Sequence, residues 1–141
     1  MGYLICSNEE VIEALLLHRH HFPITQLSLN IARIAFKDKN HLYKTQQTTV
    51  KRRELLFTNL KTLKSFKYIP SVTNIFMLKN KFLPATELDK RFKRHGIIAS
   101  YINMPGTDQN GYLRLTIRTE EDNLYLFTVC KEIDKECQLL S

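Results

Sequence analysis

Apolar and polar residues change their spacing several times along the chain, and each change marks an element. Gly2-Tyr3-Leu4-Ile5-Cys6 is short and almost continuously apolar, which predicts a strand buried on both faces. Ser7 or Asn8 is placed to cap a helix with Glu9, Glu10 and Glu13 in its first turns and an apolar stripe of Val11, Ile12, Leu15 and Leu16. That helix closes on His18-Arg19-His20-His21, ahead of the breaker Pro23. From about Thr25, Leu27, Ile31, Ile34 and Ala35 recur at helical spacing until Asp38-Lys39-Asn40. Residues 41–64 make the longest pattern: Leu42, Gln46, Thr49, Arg53, Leu56, Leu60 and Leu63 step by fours and threes, polar first and apolar last. A helix apolar over half its length bridges two bodies, so the domain boundary is predicted there.

Asn74-Ile75-Phe76-Met77-Leu78 predicts a strand, and Pro84 opens a helix running through Phe92 with Gly96 as the left-handed residue beyond it. Ile97 and Ile98 start a short strand, and residues 103–111 are a loop rich in Pro, Gly, Asp and Asn. Tyr112 to Arg118 alternates strictly, with Leu113, Leu115 and Ile117 on one face and Tyr112, Arg114, Thr116 and Arg118 on the other. Thr119-Glu120-Glu121-Asp122 begins a last helix presenting Leu124, Phe127, Val129 and Ile133, and the final five residues are expected to fray. From residue 65 the order is strand, helix, strand, strand, helix. The chain therefore reads as α/β, its second part an α+β layer pair with helices on one face of a small sheet.

Composition narrows the class. With 141 residues, 43% of them hydrophobic and 10% aromatic, the chain can bury a core, which excludes intrinsic disorder. The longest apolar runs, such as Ala14 to Leu17, have four residues, against the roughly 18–20 of a membrane-crossing helix. Cys6, Cys130 and Cys137 are an odd number without motif spacing, so no disulfide framework is expected and the cytoplasm is the expected compartment. The formal charge of +7 is uneven: residues 33–67 carry a net +8, residues 1–32 a net −2 and residues 68–141 a net +1. A basic helix can be a nucleic-acid footprint. It lacks the interleaved aromatics of a stacking platform, and the alternative is a solvated face, so nucleic acid is not the expected partner.

Few residues carry chemistry. His18 and His21 are three apart, but no carboxylate or Cys stands at ligand spacing and no metal is expected. Gly-x-Ser-x-Gly is absent, and the glycines, at 2, 96, 106 and 111, form no phosphate loop. Arg114 stands out, a guanidinium between Leu113 and Leu115 in mid-strand. Its planar fork fits a carboxylate bidentately. A structural ion pair or an exposed strand face is the alternative reading.

Several segments, in order, resemble the C-terminal part of fold-type-I pyridoxal-phosphate aminotransferases, nearest the histidinol-phosphate aminotransferase and threonine-phosphate decarboxylase group. They are Gly2-Tyr3-Leu4-Ile5 with the helix that follows, Arg19-His20-His21-Phe22-Pro23-Ile24, and Arg52-Arg53-Glu54-Leu55-Leu56. Next come Pro70-Ser71-Val72-Thr73-Asn74-Ile75-Phe76 and Gly96-Ile97-Ile98. The series ends with Gly111 to Ile117 and Thr119-Glu120-Glu121-Asp122-Asn123. The resemblance implies a remnant of the cofactor-binding large domain over residues 1–40 and an interdomain helix over 41–64. Residues 65–141 would be the small domain, a mainly antiparallel sheet covered by helices.

For the intact enzyme the resemblance implies pyridoxal 5'-phosphate, an amino acid (a histidinol-phosphate-like one included) and a 2-oxo acid, and a homodimer. In the family the Schiff-base Lys and an Arg for the cofactor phosphate lie upstream of the segment that Gly2-Tyr3 matches. No catalytic or cofactor-binding residue is therefore carried over, and the chain alone is expected to be inactive and to bind no cofactor. Arg114 matches the family Arg that binds the substrate carboxylate. The family's second Arg, which binds a substrate phosphate, has Ala99-Ser100 in its place, and this argues against a phosphorylated substrate.

The rival readings are a non-catalytic interaction or relic domain and a weak nucleic-acid-binding basic domain. Duplex DNA titrated at physiological salt is expected to bind weakly and without sequence preference. A sequence-specific complex of sub-micromolar affinity would contradict the reading of residues 33–67 as a solvated face.

Overall fold

The computed structural model describes residues 4–19, 24–102 and 111–139. The chain divides into two compact units, Met1–Tyr43 and Lys44–Ser141.

The described part of the first unit is helical, and its helix ends are set by local side chains. Helix α1 (Glu9–His18) starts at Asn8, whose Oδ1 accepts from the N–H groups of Glu10 and Val11 at 2.9 and 3.3 Å. This satisfies donors that the first turn leaves without partners. Helix α2 (Gln26–Lys37) is capped by Thr25, whose Oγ1 accepts from the Ser28 N–H at 3.2 Å. Asp38 both ends α2 and begins α3 (Lys39–Leu60): its N–H donates to the Ala35 carbonyl, and its carboxylate accepts from the His41 N–H at 2.8 Å. Neither α1 nor α2 contains a buried residue, and Val11, Ile12, Leu15 and Leu16 are 39–51% exposed.

The strand expected over residues 2–6 is not formed where the chain is described. Residues 4–6 are irregular, and Leu4 and Ile5 are exposed; Gly2 and Tyr3 lie outside the described residues. A strand exists by pairing, and no other strand is present among the unit's described residues. His20, His21, Phe22 and Pro23, the end of the expected first helix and part of the Arg19–Ile24 motif, also lie outside the described residues.

In the second unit the end of α3 leads into β1 (Phe66–Ile69), β2 (Ile75–Asn80), α4 (Ala85–Arg94), β3 (Ser100–Ile102), β4 (Tyr112–Thr116) and α5 (Glu120–Leu139). The strands form one antiparallel sheet in the order β1-β2-β4-β3. Alternation puts Phe66, Phe76, Leu78, Leu113 and Leu115 on one face. They share a core with Leu56 and Leu60 of α3, Leu88 and Phe92 of α4, and Leu126, Val129 and Ile133 of α5. Each such side chain contributes roughly 1.5–3 kcal/mol on burial. The only buried residues of α3 are Leu56 and Leu60, so the half-apolar pattern read from the sequence is the one the helix uses. Phe57 stacks on Tyr68 at 4.4 Å and meets Phe76 edge-on at 5.5 Å, while Arg53 Nη1 donates to the Val72 carbonyl at 2.7 Å. These contacts fix α3 against the β1–β2 connection.

Three details depart from the sequence pattern. Strand β1 was not foreseen, because its four residues gain their ladder only from β2. The strand expected at Ile97 begins instead at Ser100, where pairing with Arg114 starts, and Ile98 is exposed. Helix α5 buries Leu126, Cys130 and Cys137, whereas Leu124 is exposed. Its end is held into the core at Cys137 rather than frayed; residues 140–141 lie outside the described residues.

Four polar residues are buried with this core: Ser65, Asn80, Asn123 and Asp134. Asp134 Oδ1 accepts from the Ser65 N–H at 2.6 Å and the Ser65 hydroxyl at 2.5 Å, and Oδ2 accepts from Gln138 at 2.5 Å. Asn80 Nδ2 donates to the Ser65 hydroxyl at 3.1 Å, while its Oδ1 accepts from the Phe82 and Leu83 N–H groups. Burial opposes ionisation of Asp134, yet the hydrogen bonds from Ser65, Lys64 and Gln138 outweigh it and hold the carboxyl below the usual carboxylate range.

A group whose folded pKa lies below its unfolded value of about 3.9 contributes stability that is complete above that value and lost as pH falls through the folded one. Asp134→Asn should therefore lower unfolding stability at pH 7 by roughly 1.5–3 kcal/mol, the worth of a charge-assisted hydrogen bond. The variant should also lose stability less steeply than the parent below about pH 4. Urea denaturation followed by circular dichroism at both pH values measures each effect.

Candidate functional site

Strand β4 is an inner strand, with Arg114 directly opposite Met77 of β2 on one side and Ser100 of β3 on the other. Leu113 and Leu115 point into the core and Arg114 and Thr116 are exposed, as the alternation predicts. Ile117, also buried, extends the ladder through its N–H to the Asn74 carbonyl at 2.7 Å. Gly111 starts the strand with φ +63°, and a Cβ there would lie 2.8 Å from the Tyr101 ring, so any other residue is strained and obstructed. Gly96, placed by sequence after α4, has φ +72°.

The far end of β4 is fastened by Asn123. Its Oδ1 accepts from the Arg118 N–H at 3.0 Å, and its Nδ2 donates to the Arg118 carbonyl at 3.2 Å. Thr119 Oγ1 accepts from the Asp122 N–H at 3.1 Å, which caps the acidic first turn of α5. Arg118 Nε donates to Asp122 Oδ2 at 3.0 Å. The Thr119 side-chain hydrogen bond, and then the one from Arg118, hold the Asp122 carboxyl below its usual range.

These elements surround a groove of about 390 Å³, bordered by Gly96, Ile97, Ser100, Arg114, Thr116 and Tyr125, with Arg118 and Asp122 at its α5 end. Tyr125 is anchored by its hydroxyl donating to the His95 carbonyl at 3.0 Å. The Arg114 side chain makes no ion pair or hydrogen bond with another described residue. Residues 103–110, Asp108 among them, lie outside the described residues. Sequence reasoning found Arg114 and put Thr116 on its face, but did not place Ser100 beside it, because the register alone brings Ser100 opposite Arg114.

No lysine borders the groove, so among the described residues there is no amine there for a pyridoxal carbonyl to condense with. Arg118, the other cation, is already paired. The residues bordering this groove do not make a pyridoxal-phosphate site. Among them no group of three or more His, Cys, Asp or Glu could hold a metal ion, and no helix is long and apolar enough to cross a membrane.

No family model matches the chain. It is 29% identical over 133 residues to the histidinol-phosphate aminotransferase of Acinetobacter baylyi, covering 93% of this chain and 36% of that enzyme. The corresponding enzyme of Methanocaldococcus jannaschii is 28% identical over 134 residues, covering 94% of this chain and 35% of the enzyme. Among solved structures, the histidinol-phosphate aminotransferase of Clostridium acetobutylicum superposes with a TM-score of 0.81 at 16% identity, over 92% of this chain and 39% of that one. L-threonine-O-3-phosphate decarboxylase of Porphyromonas gingivalis superposes with a TM-score of 0.67 at 20% identity, over 89% of this chain and 39% of that one. The chain thus spans about 36% of the length of the A. baylyi enzyme. Sequence and fold together make it similar to the C-terminal portion of the histidinol-phosphate aminotransferases, with the mixed α/β architecture of their small domain.

Proposed function

We propose that the chain is the C-terminal part of a pyridoxal-phosphate-dependent aminotransferase, a cytoplasmic homodimer when intact, which transfers an amino group between an amino acid and a 2-oxo acid. In this reading residues 1–40 belong to the large domain, 41–64 are the interdomain helix and 65–141 are the small domain. The observation that carries it is Arg114: a guanidinium on an inner strand, exposed at the groove and without an ion-pair partner among the described residues.

Arg114 would bind the substrate carboxylate through two parallel N–H···O contacts, a geometry that fixes rotation as well as position. The rigid support for this comes from the strands on either side of β4 and from the core beneath it. Holding the carboxylate in one orientation sets the directions of the other substituents on the substrate's Cα, which is a positioning contribution to the rate. The cofactor and its Schiff-base lysine would be supplied by residues that this sequence does not match.

The 141-residue chain is expected to show no transaminase activity with added pyridoxal phosphate; turnover of an amino acid and a 2-oxo acid by the chain alone would refute this part of the reading. Arg114→Ala should leave the chain's own unfolding stability unchanged to within about 0.5 kcal/mol, as for an exposed charge. Fused behind the N-terminal portion of the A. baylyi relative, the chain should give an enzyme whose kcat/KM falls roughly 10- to 150-fold on the same substitution, matching about 1.5–3 kcal/mol for a charged hydrogen bond. An active fusion indifferent to Arg114→Ala would remove the carboxylate assignment.

A further inference from the structure

A second groove lies between the C-terminal half of α3 and the start of α5, and it shares no lining residue but Asn123 with the groove at Arg114. Arg52, Leu55 and Leu56 recur on α3 at the spacing of one helix face, and Glu120, Glu121 and Leu124 of α5 border the same space of about 320 Å³. Both walls are held from outside it. Arg53, the next residue of α3, donates to the Val72 carbonyl at 2.7 Å, and Asn123 fastens α5 to the backbone N–H and carbonyl of Arg118. Leu56 is part of the buried core, whereas Leu55 and Leu124 are 50% and 58% exposed, so the groove presents an apolar surface to whatever enters.

The charged groups of this groove are not all committed. Arg52 Nε is enclosed and donates to no described residue. Folded proteins leave few enclosed N–H groups without an acceptor, and each one calls for a partner. Neither Arg52 nor Glu121 enters an ion pair among the described residues, although both border the groove. Glu120, by contrast, is paired with Lys51 at 3.5 Å. One cation and one anion therefore remain uncommitted beside an apolar surface. A ligand bearing an anion alone would satisfy Arg52 but be repelled by Glu121, and one bearing a cation alone would meet the reverse. A ligand that carries both charges satisfies both groups.

We propose that this groove binds a zwitterionic amino acid with an apolar side chain, its carboxylate on Arg52, its ammonium on Glu121 and its side chain against Leu55 and Leu124. The site is separate from the one read at Arg114 and does not depend on that reading. The guanidinium fork offers the carboxylate two N–H donors, the enclosed Nε–H among them. A volume of about 320 Å³ stands at the small end of ligand sites, which suits a single amino acid rather than a nucleotide. The ligand would join α3 to α5 through contacts that the described residues do not make between themselves, so its binding would stabilise the folded second unit by mass action.

The test is a nuclear magnetic resonance titration of the 141-residue chain at neutral pH and physiological salt, following the Arg52 Nε–Hε signal and the methyl groups of Leu55 and Leu124. The probes are L-leucine and its two singly charged counterparts: 4-methylpentanoate, which lacks the ammonium, and 3-methylbutylamine, which lacks the carboxylate. The expected result is saturable movement of all three signals with L-leucine, and binding of each counterpart weaker by at least about tenfold, the order of one charged contact. Arg52→Gln should bring leucine down to the affinity of the amine, and Glu121→Gln should bring it down to that of the carboxylate. A merely structural role for either residue would instead weaken all three probes alike. Arg52→Met repeats the first comparison should the glutamine variant not fold. Counterparts that bind as tightly as leucine would overturn the inference, and so would leucine that moves none of these signals, whether or not it moves that of Arg114.

Discussion

One carboxylate organises the second unit. Asp134, deep on α5, accepts two hydrogen bonds from Ser65, the residue just before β1, and Ser65 in turn receives a bond from Asn80 at the end of β2. A buried anion is tolerated only where its lone pairs are used, so α5 cannot slide or rotate on the sheet without leaving a charge unsatisfied. Hydrophobic contacts alone would not impose this, since apolar surfaces slide past one another at little cost. Around the same junction, the Lys81 N–H donates to the Ser65 carbonyl at 2.7 Å, and the Phe82 and Leu83 N–H groups donate to Asn80. The entry to β1, the exit from β2 and the middle of α5 are thereby one polar junction beneath an apolar core.

The presentation of Arg114 follows from that junction. With α5 fixed, Leu126, Val129 and Ile133 require Leu113 and Leu115 beneath them, and pleating sends Arg114 to the opposite face. A one-residue slip of β4 would exchange those faces, burying the guanidinium and exposing the leucines. Gly111 at one end and the paired Asn123–Arg118 contacts at the other restrict such a slip. The groove is thus specified from both ends of a five-residue strand.

What could be read in the sequence was whatever is decided locally. Asn8 caps α1 because its side chain reaches N–H groups two or three residues ahead, and Gly96 is left-handed for reasons within its own turn. The alternation from Tyr112 onward and the half-apolar stripe of α3 were legible for the same reason. Strand β1 and the true start of β3 were not, because each is defined by a ladder with a strand distant in sequence. The buried face of α5 was misjudged at Leu124, since a helix with apolar residues at 124, 126, 127 and 129 offers more than one stripe and only the sheet chooses. At the site, Arg114 was visible from its own neighbours, whereas Ser100 became its companion only through register. Asp134 and Ser65 are 69 positions apart, and nothing near either one announces the other.

The same packing governs the chain's thiols. Cys130 and Cys137 face inward from α5, and burial pushes both thiols up from their ordinary pKa, leaving them protonated at neutral pH. A protonated, enclosed sulfur is a poor nucleophile toward alkylating or oxidising reagents, while Cys6 is only partly covered. Chemical attack on the two helical cysteines is thereby tied to opening of the core, so a thiol reagent reaches them only in excursions in which α5 leaves the sheet.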